Sequence, residues 1–117
     1  MNPIELKNRT KTFALRIIKL TQAIPKKDDD ARAIAKQIVR SGTSVAANYR
    51  ASCRARSRAE FISKIGTVEE ESDETALWLE LLIESGIMPA RKLSTLLEEA
   101  NALTAIMAAS RKTACGR

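Results

Sequence analysis

The sequence predicts an all-α protein, an antiparallel up-down-up-down four-helix bundle built as a single domain over residues 1–117. Three observations carry this. From Ser57 to Gly86, the residues Phe61, Ile65, Val68, Ser72, Thr75, Leu79, Leu82 and Gly86 recur at alternating steps of four and three, the seam a helix presents to neighbouring helices. A helix of about 29 residues is roughly 43 Å long, too long for a small mixed domain, so the rest of the chain must supply helices of similar length. The composition agrees: 4 Gly, 3 Pro and 3% aromatic leave little for turns or strands, while 44% apolar residues suffice for an aliphatic core.

The first helix is predicted over residues 3–24. Asn2 stands as its cap, Pro3 at its first position and Glu5 completes the box. Leu6, Thr10, Phe13, Ile17, Leu20 and Ile24 form its seam, Lys7, Arg9, Lys11, Arg16 and Lys19 take its other faces, and Pro25 ends it.

Asp28, Asp29 and Asp30 open a second helix, predicted over 29–56, where the helix dipole favours carboxylates. Three clustered aspartates can also suggest a metal, but no second acidic cluster lies near them in sequence, and capping is the better reading. The seam runs through Ile34, Ile38, Ser41, Val45, Asn48, Ser52, Ala55 and Ala59, turning small and polar after Val39. Gly42 costs about 1 kcal/mol inside a helix relative to Ala, so a kink or a close helix crossing should explain it. The polar seam residues Ser41, Asn48, Ser52, Ser72 and Thr75 should hydrogen-bond one another.

The third helix, 58–85, is marked by Ser57 and Glu60 as a capping box and by Gly86 as its C-terminal glycine. The fourth, 89–115, starts at Pro89 and presents Leu93, Leu96, Ala100, Leu103, Met107, Ser110 and Ala114. The short links between helices force antiparallel neighbours.

Charge is unevenly spread. Residues 1–64 hold 15 basic and 5 acidic side chains, residues 65–99 hold 2 and 9, and the last stretch adds three bases, so a net of +6 conceals a positive and a negative side. A positive side suits nucleic acid, and opposite sides suit self-association. There is no histidine, and Cys53 and Cys115 fall in no ligand spacing, so no metal or cofactor is expected. Both cysteines are expected as small buried residues in a reducing compartment. No stretch is apolar enough for a signal peptide or a membrane span, and a cytoplasmic protein is expected.

Two clusters are candidate sites. Arg50, Arg54, Arg56, Arg58 and Lys64 form a basic run, and Arg50, Arg54 and Arg58 would make one stripe if the second helix reaches that far. Arginine forks bind phosphate, and with no aromatic interleaved the contact would be to backbone rather than to bases. The alternative is a solvated face, or pairing between subunits with the acidic run Glu69–Glu74. Leu77, Trp78 and Leu81 make the third helix apolar nearly all round, which points to burial by a partner subunit; Glu71 and Glu74 border the same surface. No nucleophile–base pair is present, so no enzyme is expected.

Three blocks also resemble a known family: Arg40–Ala51 (RSGTSVAANYRA), Ser57–Ile65 (SRAEFISKI) and Glu70–Leu82 (EESDETALWLELL). They are similar to the four-helix bundle proteins encoded by intervening sequences of bacterial large-subunit ribosomal RNA genes, over roughly residues 5–110. The resemblance implies a homopentamer. It extends to the accessory variability protein of diversity-generating retroelements, a basic pentameric barrel that binds nucleic acid and a reverse transcriptase. The expectation is therefore a non-enzymatic oligomeric bundle that binds structured RNA or DNA through a basic surface. The alternative is a protein–protein adaptor, for instance to a reverse transcriptase, whose charges serve its own assembly.

Overall fold

Side-chain caps begin three of the four helices. In the computed structural model, which describes residues 1–116, Asn2 Oδ1 accepts the N–H of Glu5 at 2.8 Å, Asp28 Oδ1 that of Ala31 at 2.9 Å, and Ser57 Oγ that of Glu60 at 3.0 Å. Each satisfies a donor that the first turn leaves free. The helices are α1 (Pro3–Ala23), α2 (Asp29–Ser52), α3 (Arg58–Glu84) and α4 (Ala90–Ala114), and no strand occurs among the described residues. Pro89 is the cap of α4 rather than its first residue. Gly86, with φ of 80°, follows α3 in the left-handed conformation that glycine adopts without strain.

Each helix packs on the next and α4 returns to α1, while the backbones of diagonal pairs stay apart and only their side chains share the core. The result is a rod measuring 46 × 21 × 20 Å. Its α4–α1 side is the most sparsely packed, bridged by Arg9, whose guanidinium donates twice to Glu99 at 2.7 Å. Phe13, Ile17, Ile38, Val45, Ile65, Leu79, Leu93 and Leu103 are fully buried, so the seams of all four helices meet in one aliphatic core.

Gly42 marks a close crossing. A Cβ built there would lie 2.7 Å from Cγ2 of Ile17, so α1 and α2 approach more closely than any side chain at position 42 would permit. Of the polar seam, Thr75 Oγ1 donates to Ser41 Oγ at 2.8 Å across α2 and α3. The others turn to their own helices: Ser72 bonds the Val68 carbonyl, Ser52 that of Tyr49 and Asn48 that of Ser44.

Three expectations are corrected. α2 ends at Ser52, not residue 56, because after Cys53, whose N–H still reaches the Tyr49 carbonyl as in an α-helix, Arg54 and Ala55 turn the chain with tightened backbone hydrogen bonds to Ala51 and Ser52. Ala55 and Ala59 therefore leave the seam, and the buried Tyr49 fills the end of the α2 face. The cysteines are not core residues: Cys53 is half-buried and Cys115 exposed, since both fall where a helix stops.

Candidate nucleic-acid interface

The chain carries 20 lysines and arginines, and the fold divides them. Arg9 is held by Glu99, Arg32 by Asp29, Arg40 by Glu71 and Glu74, and Arg111 by Glu69. The carboxylate hydrogen bonds raise the pKa of Arg9 and Arg111 above the ordinary guanidinium value. Arg58 donates to the backbone carbonyl of Ala114, near the C-terminal end of α4, where the negative end of the dipole favours a cation. Arg16 donates to Thr95 at 3.2 Å.

Four other cations share one groove. Lys7 and Lys11 of α1 face Arg50 of α2 and Arg54 of the following turn, across a floor of Thr43, Ala46 and Ala47. The hollow measures about 450 Å³ and no carboxylate lines it. None of the four side chains makes a salt bridge or hydrogen bond among the described residues. Lys7 and Lys11 stand one turn apart, about 6 Å along the axis. The small floor residues let an anion approach between the two rows. Lysines supply point charges there and arginines supply forks, the chemistry that holds phosphate.

A second hollow of about 450 Å³ adjoins the first, lined by Ala51, Arg54, Arg56, Glu60 and Lys64. Arg54 lines both. Glu60 is partly engaged, its Oε2 accepting the backbone N–H of Arg56 at 3.1 Å. Arg16, Lys19 and Lys92 border a further groove between α1 and α4, whose floor is the apolar set Leu20, Ala23, Met88 and Leu96.

The basic run of the sequence is thus split. Arg50 and Arg54 meet in the first hollow, Arg56 and Lys64 join Arg54 in the second, and Arg58 turns to α4. No helical stripe links Arg50, Arg54 and Arg58, because α2 stops before Arg54. Sequence reasoning missed Lys7 and Lys11 as site residues. Their one-turn spacing off the α1 seam was the available signal, but nothing local says which helix they face.

The acidic surface is also resolved. Arg40 reaches Glu71 Oε2 at 3.2 Å and also binds Glu74, and Trp78 Nε1 donates to Glu74 Oε2 at 3.0 Å, so Glu71, Glu74 and the half-buried Trp78 are engaged within the chain. Leu77 and Leu81 stay 48% and 39% exposed, which leaves them the free apolar part of that surface. Asp28 serves as a cap, and no cluster able to hold a metal occurs among the described residues. Among those residues, too, no helix is long and apolar enough to cross a membrane.

Fold and surface together define a small antiparallel four-helix bundle with unpaired cations gathered where α1 begins and α2 ends. The chain belongs to the 23S rRNA-intervening sequence protein family, which it matches over residues 3–109. It is also similar to a protein of unknown function from the S23 ribosomal protein family of Bacteroides thetaiotaomicron, whose crystal structure was determined at 1.70 Å. The two are 32% identical, the match covers 92% of this chain and 98% of the other, and the TM-score is 0.83. No curated protein matches the chain.

Proposed function

We propose that this protein is a non-enzymatic binder of nucleic acid that grips the phosphate backbone in the groove between α1 and α2. One observation carries the reading: Lys7, Lys11, Arg50 and Arg54 converge on one hollow with no carboxylate to neutralise them. Uncompensated cations repel one another, and a bound polyanion relieves that repulsion while releasing its own counterions. The absence of aromatic and amide side chains from the groove favours backbone contact over base reading. The family description names 23S rRNA intervening sequences, which makes structured RNA the first probe to try.

The test is fluorescence anisotropy with labelled RNA across a salt series. Four phosphate contacts give a slope of log K against log salt of about −3 to −4, and Lys7→Gln with Lys11→Gln reduces its magnitude by about 1 to 2. Affinity that does not respond to salt, or no binding at low salt, overturns the proposal.

A second reading, an oligomeric adaptor, is favoured by the exposed Leu77 and Leu81. Glu70, Asp73 and Glu84, all exposed, lie on the same helix around them. Such a face suits a basic surface, on another copy in a homo-oligomer such as a pentamer or on a partner such as a reverse transcriptase. Sedimentation of Leu77→Glu with Leu81→Glu tests it: the adaptor reading requires loss of assembly or partner, and unchanged sedimentation and partner capture would remove it.

A further inference from the structure

We infer that the ligand of this basic surface is a flexible single strand, led from the α1–α2 groove around the end of α2 into the hollow against α3. The inference rests on the nucleic-acid reading above and adds the class of nucleic acid.

The argument starts from Arg54. It is the shared wall of the two hollows, so the cations form one track: Lys7 and Lys11, then Arg50 and Arg54, then Arg56 and Lys64. The track does not run straight. α1 and α3 both flank α2 and their backbones do not pack directly on each other, so a ligand contacting Lys11 and Lys64 together is led around the end of α2. The early stop of α2 at Ser52 makes this possible, because the turn from Cys53 to Ser57 carries Arg54 and Arg56 off the helix and onto the corner. Had α2 continued to residue 56, Arg54 and Arg56, two positions apart, would have pointed to opposite sides of the helix instead of lining one hollow together.

The corner lies on a rod only 21 × 20 Å across, so the backbone must change direction within a few nucleotides. A duplex is stiff over roughly 150 base pairs, and bending even a short site costs several kcal/mol. A single strand turns freely. The hollows contain no aromatic residue, so the strand would be held by its phosphates, with the arginine planes the only surfaces on which a base could lie. A duplex laid against the same end would reach the first hollow and miss the second.

The experiment compares an oligouridylate of roughly a dozen nucleotides, a length within a single-strand site, with an RNA duplex of equal length, by anisotropy at equal salt. The single strand should bind about five- to tenfold more tightly. Arg56→Gln with Lys64→Gln should weaken the oligouridylate by a similar factor and leave the duplex unchanged, whereas Lys7→Gln with Lys11→Gln should weaken both. All four positions are at the surface or half-buried, and helical circular dichroism confirms that each variant folds. A duplex bound as tightly as the single strand, or an oligouridylate indifferent to the loss of Arg56 and Lys64, overturns the inference while the broader proposal stands. If neither nucleic acid binds, both fall.

Discussion

Gly42 of α2 lies directly beneath Ile17 of α1, so close that an added Cβ would sit 2.7 Å from Cγ2 and 3.1 Å from Cβ of that side chain. Ile17 is fully buried and β-branched, so it has no free rotamer with which to retreat. Replacing Gly42 with Ala gains helix propensity of about 1 kcal/mol. Overpacking costs about 1–3 kcal/mol, and here it should win. Gly42→Ala is expected to lower stability by about 1 kcal/mol in urea denaturation, and Ile17→Val in the same chain should recover part of it; a stabilised Gly42→Ala would show that the two helices separate easily.

The buried hydrogen bond from Thr75 to Ser41 makes a different prediction. Thr75→Val removes the partner hydroxyl and leaves the Ser41 hydroxyl in the core with only a long, 3.5 Å bond to the Ile38 carbonyl. That should cost about 1–2 kcal/mol, while Ser41→Ala together with Thr75→Val should be nearly neutral. A double-mutant cycle by thermal unfolding reads the difference, and additive losses would mean that the pair is not coupled.

Tyr49 is the single tyrosine, and burial, then the neighbouring Cys53 thiol, pushes its phenol from the ordinary 10.0 up to about 12. A phenol raised in the folded state favours folding in its neutral form. Its contribution is therefore full below pH 10 and is lost as the pH climbs through about 12. Ultraviolet absorbance should show tyrosinate forming near pH 12 in the native protein and near the ordinary value in denaturant. Native titration at the ordinary value would place Tyr49 in water.

Arg54 and Arg58, indistinguishable in sequence, should separate in function. Arg54 lines both hollows, whereas the Arg58 guanidinium is tied to the Ala114 carbonyl. Arg54→Gln should reduce affinity for nucleic acid about three- to tenfold and lower the magnitude of the salt slope by about 1, while Arg58→Gln should change affinity less than about twofold. Equal losses would mean that total charge, not the groove, governs binding.

Much of the fold was legible because its signals are local. The caps at Asn2, Asp28 and Ser57, the glycine at 86 and the four-three spacing of apolar residues each depend on neighbours a turn or less away. The small seam residue Gly42 even announced a close crossing, though not that Ile17 would fill it. The end of α2 was not legible, since Ala51–Arg56 contains neither Pro nor Gly, and the chain reverses there because Ser57 must cap α3. Tyr49 was passed over for the same reason, its place on the core face becoming final only when the helix stopped.

By itself the sequence determined four amphipathic helices, their order, their antiparallel packing and an excess of positive charge in the first half. Those follow from periodicity, caps and short links, which act along the chain. Only the tertiary structure decided which cations remain free: it spent Arg9, Arg40 and Arg111 on distant carboxylates, turned Arg58 toward α4, and set Lys7 and Lys11 opposite Arg50 and Arg54. Such pairings join residues far apart in sequence, and Coulombic attraction acts on distance in space, which exists only once the helices have packed.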